Sequence, residues 1–121
     1  MKKIDIINIK KDNPTVDIAM FYLKEAILEN TAMGLEVLKV IHGYGSSGKG
    51  GGIKKEARRL LKHYEKTGLV KKVVPGELWN SFKSKELGLD IPELSLNLDG
   101  ENSNMGMTIV ILNQEKVVWD L

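Results

Sequence analysis

The chain has 121 residues, 42% of them hydrophobic and 28% charged, a size and balance that fit one compact domain with its own core. It has no cysteine, which excludes a disulfide framework, a thiol nucleophile and cysteine-ligated zinc, and fits a reducing compartment. The net charge of +2 does not mark the whole chain for nucleic acid, no run approaches the ~20 apolar residues of a membrane span, and the apolar run in MKKIDIINIKKD is too short for a signal peptide. A cytoplasmic protein with no membrane partner is expected.

Ile4, Ile6, Ile7 and Ile9 predict a β-branched first strand that ends in Lys10, Lys11 and Asp12. Asn13-Pro14 then predicts a helix start, with Asn13 as the cap and Pro14 at the first helical position, where its missing N–H costs nothing. Ala19, Met20, Leu23, Ala26 and Ile27 give that helix an apolar face, and Met33-Gly34 ends it. A second strand is expected from about Glu36 to Ile41. A second helix follows from about Gly52 to Lys66, with Ile53, Ala57, Leu60, Leu61 and Tyr64 on its buried face and Thr67-Gly68 at its end. Val70 to Val74 forms a third strand closed by Pro75-Gly76. Strand and helix alternating in this order imply right-handed crossovers and a largely parallel sheet, an α/β fold. Met107 to Leu112 is the last long strand, with Val117 to Trp119 folding back on it.

Residues 79–105 break the alternation. Trp79, Phe82, Leu87, Leu89, Ile91, Leu94, Leu96 and Leu98 are too many apolar groups for a solvated linker, yet Gly88, Pro92 and Gly100 interrupt them. The segment reads as an insertion that packs on the sheet or on a partner, with a short helix near Trp79 to Leu87 and a mobile loop at Asp99 to Asn104.

The stretch LKVIHGYGSSGKGGGIKKEARR, Leu38 to Arg59, carries the candidate function. Gly43, Gly45, Gly48, Gly50, Gly51 and Gly52 remove side chains between a strand and a helix, where backbone amides and the helix dipole attract anions. Lys54, Arg58, Lys62 and Lys66 recur at spacing four, with Lys55 and Arg59 beside them, which makes one helix edge a ladder of cations. Lys49 to Lys72 holds nine basic residues against Glu56 and Glu65, whereas Gly76 to Asn104 holds six acidic residues against Lys83 and Lys85. Gly43 to Lys49 also spells G-x-x-x-x-G-K, the opening of a nucleotide-binding P-loop. Gly50 stands where that motif needs Ser or Thr to hold magnesium, so a P-loop-like protein is the least favoured alternative.

His42 lies at the end of the second strand beside the glycines. It reads either as a strand-end histidine bonded to backbone or as a proton acceptor or phosphate stabiliser. His63, among the lysines of the helix, reads as solvent-facing. No histidine–carboxylate cluster has metal-ligand spacing, and no Ser–His–Asp set can be assigned.

KVIHGYGSSGKGGGIKKEARRLL resembles the central motif of the small MutS-related (Smr) domain, in which an Ile-His-Gly-x-Gly turn leads through further glycines into a helix. VKKVVPGE resembles that family's third strand and its exit, and GMTIVIL, Gly106 to Leu112, its closing Gly-x-Thr strand. The resemblance implies a single domain over residues 1–121, a two-layer βαβαββ sandwich with a mixed, largely parallel sheet. It implies DNA or RNA as partner and a nicking or endonucleolytic activity; no cofactor is assigned, Mg²⁺ or Mn²⁺ being expected only if the domain cleaves. The family's Asp-Leu-His-Gly motif at the end of the first strand is absent: Asn8-Ile9-Lys10-Lys11, or Lys10 to Asn13 in the other register, stands there. A nucleic-acid-binding domain with weak or lost cleavage is therefore expected, with His42 as the catalytic candidate. Gly43, Gly45, Gly48, Lys49, Gly50, Gly51, Gly52, Lys54, Lys55, Arg58 and Arg59 are the phosphate-binding candidates. A protein-interaction module, partnering or self-associating through 79–105, is the alternative.

Overall fold

The computed structural model describes residues 3–44, 48–79, 86–88 and 105–114, with residues 48–51 described by their backbone. The elements run β1 (Ile4–Asn8), α1 (Val16–Ala32), β2 (Val37–Ile41), α2 (Gly48–Thr67), β3 (Val70–Pro75), a single 3₁₀ turn (Gly76–Leu78) and β4 (Met107–Leu112). This is the βαβαββ order.

Two helix starts differ from expectation. Asn13 does not cap α1: Asp12 and Asn13 take left-handed backbone angles, φ 65° and 51°, which short Asx side chains tolerate. The chain turns there, with Asn13 N–H donating to Lys10 O at 3.2 Å, and Pro14 lies ahead of the cap. Thr15 is the cap, its Oγ1 accepting from Ile18 N–H at 3.3 Å. The second difference is that α2 begins at Gly48 rather than near Gly52, so the glycine run forms its first turn. Helix propensity is a weak prior, and here tertiary packing overrides it. The turn sits where α1 and α2 approach closely, for a Cβ on Gly52 would stand 3.1 Å from Val16 Cγ2.

The strand order is β1-β2-β4-β3. β1 and β2 pair in parallel from Ile4↔Val37 to Asn8↔Ile41, and β4 lies between β2 and β3, antiparallel to both. Three described strands thus run one way and the last one enters between two of them. One core cluster joins α1 and α2 to the sheet through Leu23, Ile27, Leu38, Val40, Ile53, Leu61 and Val110. Alternation along the strands sends Ile4, Val37, Val74, Met107, Ile109 and Ile111 into the other cluster, which Trp79 joins at 4% exposure and against which Leu87 packs. The beginning of the insertion therefore covers this chain's own sheet. The rest of the expected short helix from Trp79 to Leu87, the loop at 99–104 and the strand at 117–119 lie outside the described residues.

Candidate nucleic-acid interface

Because β1, β2 and β3 run the same way, their exits meet at one end of the sheet, and the antiparallel β4 starts there. Ile41 pairs with Met107 and Pro75 with Thr108, so His42, Glu77 and Thr108 gather at one edge from three separate parts of the chain. Open α/β sheets commonly place their ligand crevices at such strand ends. Backbone closes the floor, since the N–H groups of His42 and Gly43 both donate to Gly106 O at 3.0 Å. Gly43 turns away with φ 85°, and a Cβ there would stand 2.9 Å from Lys10 Cδ. The Lys10 side chain thus lies against the glycine turn.

His42 is fully buried. Its Nδ1 lies 2.9 Å from Gly43 O, and a carbonyl can only accept, so Nδ1 carries the proton. Nε2 is then an acceptor, 2.9 Å from Thr108 Oγ1 and 3.4 Å from Arg58 Nε. Burial holds the ring's pKa down at about 4, and the positive charges of Arg58 and Lys54 act in the same direction, against the hydrogen bond to Gly43. His42 is accordingly a neutral ring at physiological pH with both nitrogens engaged.

Arg58 links this ring to the surface. Its Nη1 and Nη2 donate to Glu77 Oε2 at 2.8 Å and Oε1 at 2.6 Å, and Nη2 also reaches Met107 O at 3.2 Å. The paired guanidinium, through its hydrogen bonds, draws the Glu77 carboxyl down to about 2. Spacing along α2 put Arg58 on a cation ladder, but the helix turns it inward to long-range acceptors. Arg59 on the exposed flank pairs with Glu56 at 2.9 Å, and the hydrogen bonds of that pair lower the Glu56 pKa and raise that of Arg59. Lys54 Nζ reaches Tyr44 O at 3.5 Å, while Lys55 is exposed. His63 is exposed, as expected.

Of the glycines, Gly43 forms the turn and Gly48, Gly50 and Gly51 lie in the first turn of α2, whereas Gly52 faces Val16. Gly45 and the Lys49 side chain lie outside the described residues. Sequence reasoning missed Glu77 and Thr108. Both follow from the topology: a residue just after β3 must reach the same sheet end as one just after β2. Among the described residues no group of three or more His, Asp or Glu side chains is placed to hold a metal ion.

An α/β domain in βαβαββ order, with a His-Gly turn and the amino end of a helix at the edge where three strands exit, has the architecture of an Smr-like domain. The crystal structure of the Smr domain of Thermus thermophilus MutS2 is similar to it with a TM-score of 0.53 and 20% sequence identity, covering 91% of this chain and 96% of that one. No protein-family model matches the chain, and no curated protein matches it.

Proposed function

We propose that the chain is a nucleic-acid-binding domain that recognises phosphate and charge rather than base sequence. The observation carrying this reading is the junction of β2 with α2, where a glycine turn meets the amino end of a 20-residue helix flanked by cations. The first N–H groups of a helix have no intrahelical acceptor and carry the positive end of its dipole. In this reading the first-turn amides of α2, at Gly48, Gly50 and Gly51, serve phosphate, and Lys49, Lys54, Lys55 and Arg59 supply charge. Gly52 acts as a spacer against α1. The Smr-like fold and the IHGYG motif support the same assignment.

Cleavage is weak or absent in this reading. His42 is closed to solvent and acts as a positioning residue, its neutral Nε2 orienting Arg58, and Lys10 occupies the place of a histidine. Supercoiled DNA and structured RNA incubated with Mg²⁺ or Mn²⁺ should remain largely intact over many minutes, and turnover at many per minute would contradict this reading. The alternative of a protein-interaction module is less well supported, because Trp79 and Leu87, apolar groups of the insertion, pack on the chain's own sheet.

The direct test is a titration of labelled oligonucleotides of unrelated sequence across salt concentrations. Dissociation constants on the order of 10⁻⁴–10⁻⁶ M at physiological salt, weakening steeply as salt rises, are expected of sequence-independent phosphate contacts. No binding at low salt would sink the proposal.

A further inference from the structure

We infer that Glu77 is a built-in competitor for nucleic-acid phosphate: its carboxylate holds the Arg58 guanidinium in the two-point grip that a phosphate would take. Arg58 then joins the interface by exchanging one anion for the other. This rests on the reading of the surface as a nucleic-acid interface and adds the residue that sets its affinity.

Carboxylate and phosphate both match the planar fork of a guanidinium, so the two ligands compete for one set of donors. Glu77 takes that fork at 2.6 and 2.8 Å. The side chains of Arg58 and Glu77 are 24% and 33% exposed, so the pair sits at the surface, within reach of an incoming strand. Arg58 has a second set of partners on the sheet side, His42 Nε2 at 3.4 Å and the carbonyls of Met107 at 3.2 Å and Met105 at 3.4 Å. These contacts do not involve Glu77 and would hold the guanidinium in place after the carboxylate leaves. Glu77 itself belongs to a single 3₁₀ turn whose next residue, Leu78, is 61% exposed, so its side chain can swing out without disturbing a strand. With the Glu77 pKa held at about 2, mild acid leaves the pair intact, and a competing anion is what displaces it.

The test is a double-mutant cycle on the full chain, read by anisotropy of a labelled oligonucleotide across a salt series. Glu77→Gln should bind about fivefold more tightly than wild type, and its log–log salt slope should steepen by roughly 0.7–0.9, the signature of one added phosphate contact. In an Arg58→Gln background the same substitution should give no gain. A gain that persists without Arg58 would overturn the inference, because long-range repulsion alone would explain it. Wild type and Glu77→Gln binding alike, with equal slopes, would overturn it while leaving the nucleic-acid reading intact. Neither protein binding would overturn both. If Arg58→Gln fails to fold, Arg58→Lys, which keeps the charge but not the two-point fork, serves as the background: loss of the gain there supports the exchange, and a gain that persists overturns it.

Discussion

On the inner flank of α2, Arg58 meets acceptors from three other places in the fold: Glu77 in the 3₁₀ turn, His42 after β2 and Met107 O in β4. On the outer flank, Arg59 pairs with Glu56 one turn back on its own helix. The two residues are neighbours with the same charge. What separates them is the origin of the acceptor: a local partner in solvent leaves a cation mobile and screened, whereas partners drawn from other elements fix its direction and tie it to the fold. On α2, Arg58 is therefore fixed by partners from three other elements, whereas Arg59 is held only by its own helix.

The inner cluster is most sensitive to pH. His42 has its pKa lowered from 6.5 to about 4. The unfolded chain binds a proton at this site between those values and the native state does not, so stability is full above about pH 6.5 and falls as pH drops toward 4. The loss expected from this one group is about 3 kcal/mol. Urea denaturation at pH 7 and pH 4 should show it, and His42→Gln should remove most of that difference. The Glu77 carboxyl, lowered to about 2, contributes stability above its ordinary 4.5, and this is lost at lower pH, between those values. An equal pH dependence in wild type and His42→Gln would show that the inner cluster is not the source.

The two neighbouring arginines should also respond differently to removal. Arg58→Ala leaves the partly buried Glu77 carboxylate without its ion-pair partner and takes a donor from Met107 O, while Thr108 still serves His42 Nε2, and should cost about 2 kcal/mol. Arg59→Ala should leave the denaturation midpoint unchanged within error. Comparable losses from both would erase the distinction between the flanks.

A smaller effect is expected at the glycine turn. Gly43 and Gly34 have similar angles, φ 85° and 81°, and alanine at either should cost about 1 kcal/mol of backbone strain. The surroundings differ: Gly34 faces open space, while a Cβ at Gly43 pushes into the Lys10 side chain. Gly43→Ala should therefore also weaken oligonucleotide binding, and Gly34→Ala should not. Equal binding by the two variants would reduce the turn to a connector.

Much of the fold was legible because its signals are local. Ala19, Leu23 and Ile27 on one helix, and Ile53, Ala57 and Leu61 on the other, recur at helical spacing and are buried as that spacing requires. The start of α1 is not legible locally because Asn13-Pro14 and Thr15 are competing cap signals two residues apart, and the left-handed turn at Asp12 and Asn13 decides between them. Local propensity puts the start of α2 late because glycine disfavours helix, while the packing of Gly52 on Val16 is a tertiary fact. Strand direction was readable, but the lodging of β4 between β2 and β3 was not, since pairing across the sheet leaves no periodic trace. The site divided in the same way. His42 and the glycine turn stand out as a contiguous motif, whereas Glu77 lies nineteen positions from Arg58 and Thr108 sixty-six from His42, so folding alone makes them neighbours.

If Lys54 and Lys55 beside the glycine turn contact phosphate, the salt dependence of binding measures those contacts most directly. Wild type and a Lys54→Ala/Lys55→Ala double variant should be compared on the same duplex across a salt series, each first shown to be folded. Each lost phosphate contact on duplex DNA removes roughly 0.9 from the log–log slope, so the double variant should be shallower by up to about two units. An unchanged slope in a folded double variant would contradict the account.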